Sequence, residues 1–216
     1  MEKIKIFFAH KFFKILKWAF LILVLGFIVL VGFRMSYLKK MDKINVQVER
    51  IHNARITMDD VMGKYLPPDP GAEADKTIEG IDINKNGIRD DVELAIFNKY
   101  PNSAKTRAVL LQYAFALQME FTQPMLSTEI VTEVVTELGR ADTCVVETLY
   151  PIYDDRQTRT NKEVLEIEKY INFVRNKQSN TEDRMKYKEN FYEFLRSYGN
   201  SENKQICDIN IATLPN

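Results

Sequence analysis

The sequence predicts an all-α protein: an N-terminal transmembrane helix followed by a small helical domain of four or five helices. Three observations predict it. Residues 18–33, "WAFLILVLGFIVLVGF", carry no charge. Beyond them, apolar residues recur at spacings of three and four, the signature of helices, and no two-residue alternation of comparable strength appears. Finally, the stretch "GIDINKNGIRDDVE" sets acids and amides at fixed offsets just ahead of a helical pattern.

The apolar run comes first. Sixteen helical residues span about 24 Å, slightly less than the roughly 30 Å hydrocarbon layer. Ile15 and Leu16 extend the run, Lys17 can snorkel to the headgroups, and Trp18 suits the interface. The exit "VGFRMSYLKK" has no small-x-small cleavage site, so residues 1–34 read as a cytoplasmic segment and an uncleaved anchor. Flanking charge does not orient it. Lys3, Lys5, Lys11, Lys14 and Lys17 precede the span, while Arg34, Lys39, Lys40 and Lys43 follow it.

The cysteines supply the orientation. Cys144 and Cys207 are the only two, both downstream of the anchor and without C-x-x-C spacing, which fits one disulfide in an oxidising compartment. The expected setting is a bacterial inner membrane, crossed once, with the C-terminal domain periplasmic. Residues 1–34 hold six of the 30 basic side chains and one of the 30 acidic ones, so the remainder is mildly acidic. That balance argues against nucleic-acid binding.

Residues 35–65 read as a juxtamembrane helical stalk, with Leu38, Met41, Ile44, Val48 and Ile51 on one stripe. "TMDD" at 57–60 is a helix N-terminus with acids in its first turn. Residues 66–81 contain Pro67, Pro68, Pro70, Gly71 and Gly80, and are expected to form an extended lead. Residues 94–216 form the helical domain and a C-terminal tail. Helices are expected from Asn102 or Ser103, from the Thr-Glu-apolar-apolar repeat at 127–150, from the capping box Thr160/Glu163, and from Asn180 to a stop at Gly199. In the last of these, Tyr187, Phe191, Phe194 and Tyr198 share a face expected to be core.

Counted from Asp82, residues 82–93 match D-x-[DN]-x-[DN]-G-x₅-E at every specified position. Asp82, Asn84, Asn86, Asp90 and Glu93 are the side-chain ligand candidates, and Ile88 supplies a carbonyl. Ca²⁺ takes six to eight oxygens, and a tightly turning backbone offers alternate side chains to one centre. An Asn-Gly turn that merely caps the next helix explains Asp90 and Asp91, but not Asp82, Asn84 and Glu93 together. The loop resembles EF-hand calcium loops and the repeats of thrombospondin type 3 and dockerin modules. With its lead, "YLPPDPG…GIDINKNGIRDDVE" also resembles exported, membrane-anchored proteins of Gram-negative bacteria, a resemblance that implies a setting and no activity. Arg89 departs from paired EF-hands, which place an aliphatic residue there to bridge two loops, and the lead leaves little room for an incoming helix. These departures imply a solitary structural Ca²⁺ site, with three carboxylates and weak affinity of roughly 10⁻⁴–10⁻³ M.

Other chemistry is scarce. His10 and His52 both precede the expected folded domain, which leaves residues 53–216 without histidine for acid–base work or zinc. Asp154 and Asp155 lie beside Arg156 and Arg159 in a loop expected to be solvated. Glu129, Glu133 and Glu137 fall on one helix face, expected to be solvated or to dock a basic partner. No catalytic residue is assigned. The reading is a non-enzymatic interaction or scaffold module whose partner is another envelope protein. An envelope enzyme using carboxylates and a calcium-dependent regulator of a membrane partner are the alternatives.

Overall fold

The computed structural model describes residues 2–154, 157–196 and 205–215, with backbone alone over 2–13. Among them are seven α-helices, two 3₁₀ turns and no strand. The helices are α1 (Glu2–Asn53), α2 (Met58–Met62), α3 (Asp90–Lys99), α4 (Ala104–Thr122), α5 (Thr128–Leu149), α6 (Asn161–Gln178) and α7 (Glu182–Glu193).

The chain divides into two compact units, Met1–Val46 and Gln47–Asn216. The first is helical throughout its described length and includes the only described segment long and apolar enough to cross a membrane. None of that apolar window is buried against protein. The second unit begins inside the expected stalk. Ile51, Ile56 and Val61 are all buried, so residues 47–65 take part in the helical domain.

Short polar side chains start the helices of this domain. Ser103, Ser127, Thr160 and Thr181 each accept a hydrogen bond from a backbone N–H of the first turn, satisfying a donor that the helix itself leaves over. Thr57 does the same for α2 in a reciprocal capping box with Asp60. Asn180, expected to cap α7, is displaced by Thr181 and bonds Asp75 instead. The helix ends at Glu193, where Phe194 and Leu195 close it with tight three-residue bonds. Phe191 is buried and Tyr187 half-buried, but Phe194 is exposed; Tyr198 and Gly199 lie outside the described residues.

Helix α4 is the axis of the domain. Sixteen of its 19 residues are buried, among them the polar Thr106, Arg107, Gln112, Gln118 and Glu120, with α2, α3, α5, α6 and α7 packed about it. Val109, Leu110, Tyr113, Leu117 and Phe121, the expected core positions, are all buried. Each such side chain stabilises the fold by about 1.5–3 kcal/mol.

The lead contains one element that its prolines did not announce, a 3₁₀ turn at Gly71–Asp75 that buries Ala74. Arg184 of α7 holds it. The buried guanidinium donates to the carbonyls of Ala74 (2.5 Å), Thr77 (3.0 Å) and Ile78 (2.9 Å) and to Asp75 Oδ1 (2.6 Å). Irregular backbone that has no ladder partner is thus satisfied by one side chain. The Asn180 amide holds the Asp75 carboxyl below the usual carboxylate range; burial opposes it, and the bond and charge of Arg184 add to the lowering.

At the other end, Cys144 and Cys207 form a disulfide, Cα to Cα 5.2 Å, that ties α5 to the C-terminal segment across 63 residues. The segment also places Asp208 between Arg55 (3.2 Å) and Arg140 (2.7 Å), and Leu214 in the core. By loop-closure entropy the crosslink stabilises the fold by about 4 kcal/mol. The double variant C144S/C207S is expected to lose roughly 2–5 kcal/mol, read as a lower denaturation midpoint of the full chain in detergent micelles. An unchanged midpoint would mean that Asp208 and Leu214 hold the segment unaided.

Candidate calcium-binding loop

Asp82 shapes the loop. Its carboxylate accepts from the backbone N–H groups of Asn86 (3.2 Å) and Gly87 (2.9 Å), folding residues 82–87 around one side chain. Two left-handed residues complete the turn, Lys85 (φ 58°) and Gly87 (φ 81°). Gly87 is required twice over, because a Cβ there would stand 2.3 Å from the Phe115 ring. Asp90 opens α3 and reaches back to accept from Ile83 N–H (3.1 Å), while its own N–H donates to Ile81 O (2.9 Å). The chain before Asp82 is not helical from 76 onward, so no incoming helix flanks the loop.

Glu93 sits one turn into α3 with 1% of its surface exposed. Both carboxylate oxygens are held, Oε2 by the Asn84 amide and Oε1 by the Asn86 amide, each at 3.0 Å. Five of the expected residues are therefore linked in one hydrogen-bonded cluster or lie beside it: Asp82, Asn84, Asn86, Asp90 and Glu93. Ile88, the sixth, is fully buried, and its N–H donates to Asn86 Oδ1 (2.9 Å).

The electrostatics of this cluster are uncompensated. Among the described residues, no lysine or arginine forms an ion pair with Asp82, Asp90 or Glu93. Burial raises the pKa of all three, most for Glu93, which is pushed up to about 7 despite the two amides that favour its charged form. Asp60 of α2 adds to the repulsion felt by Asp82 and Glu93. That fourth carboxylate was not legible as part of the site, since its only sequence signal was a helix cap 22 residues upstream.

Arg89 accounts for the departure at the eighth loop position. Its side chain leaves the loop and donates to the Lys177 (2.7 Å) and Gln178 (3.1 Å) carbonyls at the C-terminus of α6. A guanidinium there meets the negative end of the helix dipole. It also pairs with Asp91, the acid that follows Asp90 at the start of α3. The residue that would bridge to a second loop instead locks this one to α6.

The remaining acids singled out in the sequence lie elsewhere in the fold. Asp154 is exposed, Asp155 and Arg156 lie outside the described residues, and Arg159 bonds Glu147 (2.8 Å) and the Tyr150 carbonyl. An open cleft of about 390 Å³ between the lead and α3 carries Asp69 and Asp91, the second already paired with Arg89. The solvated face expected at Glu129, Glu133 and Glu137 holds only for Glu129. Glu133 is half-buried and Glu137 is buried, paired with Arg140 (2.8 Å).

Comparisons with family models, with curated proteins and with solved structures give no match to this chain.

Two outcomes follow from the loop's geometry. In chelator-treated full chain, the raised pKa of Glu93 means that folding favours its protonated form. Its contribution is complete below the ordinary value of 4.5 and is lost as pH rises through about 7. Stability is therefore expected to fall by roughly 2–3 kcal/mol over that window, and E93Q to flatten the fall; a wild-type profile without it would mean that the carboxylate is solvated. Gly87→Ala combines positive φ with the Phe115 clash, and is expected to cost about 1–3 kcal/mol in thermal unfolding.

Proposed function

We propose that this chain is a single-pass membrane-anchored protein whose helical domain faces an oxidising compartment, the periplasm of a bacterial envelope, and acts as a non-enzymatic interaction module braced by one Ca²⁺. The observation that carries the calcium reading is the gathering of Asp82, Asp90 and Glu93 in the 82–93 loop, where no lysine or arginine among the described residues pairs with them. Burying like charges together is unfavourable unless a cation joins them. The donor set fits a hard cation: carboxylates at Asp82, Asp90 and Glu93, amide oxygens at Asn84 and Asn86, and the Ile88 carbonyl. When bound, Ca²⁺ supplies positive charge and no covalent chemistry. The chain's own residues do the rest: Gly87 makes the turn, Asp82 templates it, and Arg89 holds it to α6.

The disulfide supports the compartment reading, since such bonds persist outside the reducing cytosol. The anchor reading rests on the unburied apolar helix near the N-terminus. The interaction reading has a surface to rest on. Met58, Met62, Tyr65 and Leu66, on α2 and the turn after it, are exposed, as is Ile83 of the loop. Asn84 donates to the Tyr65 carbonyl (3.1 Å), so the loop and this apolar strip are joined directly.

The test is calorimetric titration of the full chain in detergent with Ca²⁺, beside D82A and E93A. Binding is expected at roughly 10⁻⁴–10⁻³ M, lost in both variants, with a rise in melting temperature that grows from pH 5 to 8 as the ligands shed protons. Neither heat nor thermal shift at about 10 mM, well above that range, would reduce the loop to a helix-capping turn.

A further inference from the structure

The unit Gln47–Asn216 contains one histidine, and the fold sets it against two glutamates 81 and 85 residues away in sequence. His52, in the last turn of α1, has Nδ1 at 2.8 Å from Glu133 Oε1 of α5. Glu137 follows one turn later on the same face, and one ligand atom from each of the three lies within 4.8 Å of the others. We propose that His52, Glu133 and Glu137 form a binding site for a transition-metal dication of the Zn²⁺ class, separate from the calcium loop.

Ligand chemistry favours this assignment over a second calcium site. Calcium takes six or more oxygens, whereas one imidazole nitrogen and two carboxylates form a set that zinc accepts, with water completing the tetrahedron. Tetrahedral ligands about 2.0–2.2 Å from the ion stand roughly 3.3–3.5 Å apart, so the three groups reach it by small side-chain rotations. The i, i+4 spacing of Glu133 and Glu137 keeps both on one face of a rigid helix, while the His52 side chain, 48% exposed, leaves access from solvent.

The surroundings are built to hold a ligand in place. Glu137 is buried, and Arg140 Nε donates to its Oε2 at 2.8 Å, with Arg55 Nη1 at 3.4 Å. Such outer contacts fix the orientation of a coordinating carboxylate. Both arginines are balanced in turn by Asp208, whose side chain is fully buried. With His52 neutral, Glu133, Glu137, Asp208, Arg55 and Arg140 sum to −1, so the arginines position Glu137 without making the cluster cationic. The metal would fasten the end of α1 to α5 beside the His52–Glu133 hydrogen bond.

The experiment uses chelator-treated full chain in detergent micelles, with Zn²⁺ titrated against a chromophoric chelator and Co²⁺ as a spectroscopic substitute. Wild type is expected to bind one equivalent of Zn²⁺ and to give the intense visible absorption of tetrahedral Co²⁺. His52→Ala and Glu133→Gln, both outside the core, are expected to weaken Zn²⁺ at least about tenfold with unchanged helicity. D82A is expected to lose calcium and keep zinc, which separates this site from the loop. If wild type binds no zinc, or if His52→Ala binds it as tightly as wild type, the cluster is a hydrogen-bonded contact and the proposal fails.

Discussion

The domain depends on two buried guanidinium ions being satisfied. Arg89 and Arg184 are fully buried and close enough for each to oppose the other's charge. Their donors are consumed by carbonyls with no partner in regular structure: Ala74, Thr77 and Ile78 in the lead, Lys177 and Gln178 at the end of α6. Asp75, Asp91 and Asn180 supply the remaining acceptors. A proline-rich segment that can neither pair as a strand nor continue as a helix is thereby fixed to a helical core. The loop at 82–93 starts where the lead stops, so its position is inherited from these arginines.

Charge is distributed unevenly as a result. Cations are spent on the lead and the α6–α7 junction, and on the pair Arg55 and Arg140 around Asp208. None is left beside Asp82, Asp90 and Glu93 among the described residues. Burial raises the pKa of these three loop carboxylates instead, with repulsion from neighbouring acids adding to it. Neutral protein can answer this only by protonation, which for Glu93 reaches the physiological range. A divalent cation answers it without that proton, which is why the unpaired acids, more than the sequence pattern alone, carry the calcium reading.

What the sequence made legible was local. The caps Thr57, Ser103 and Thr160, the core stripe of α4 and the turn at Gly87 each depend on residues within a few positions, and each is found where its pattern placed it. The cysteine pair was legible by count, since two residues allow a single pairing. Long-range partners were not. Nothing in "NTEDR" marks Arg184 as the residue that satisfies a 3₁₀ turn about 110 positions away, and this is also why Asn180 surrendered its cap to Thr181. His52 was set outside the domain because residues 35–65 read as a juxtamembrane stalk, yet Ile51 beside it is buried.

The C-terminal segment shows how such long-range contacts add up to structure without a helix. Its backbone is held by side chains of the core helices: Gln112 Oε1 accepts from Asp208 N–H (2.9 Å), and Gln112 and Arg140 both donate to the Ile206 carbonyl (2.9 Å each). Asp208 also accepts from the N–H of Ile56, directly after the last turn of α1 (3.1 Å). The segment thus joins the α1–α2 connection and α5 through one buried carboxylate, and α4 through its backbone, with the disulfide one residue away. The crosslink lowers the entropy of the unfolded chain and so adds to the contacts of Asp208 and Leu214 in holding this segment. Glu137 then depends on the disulfide at one remove, because the arginines that orient it are the ones Asp208 neutralises.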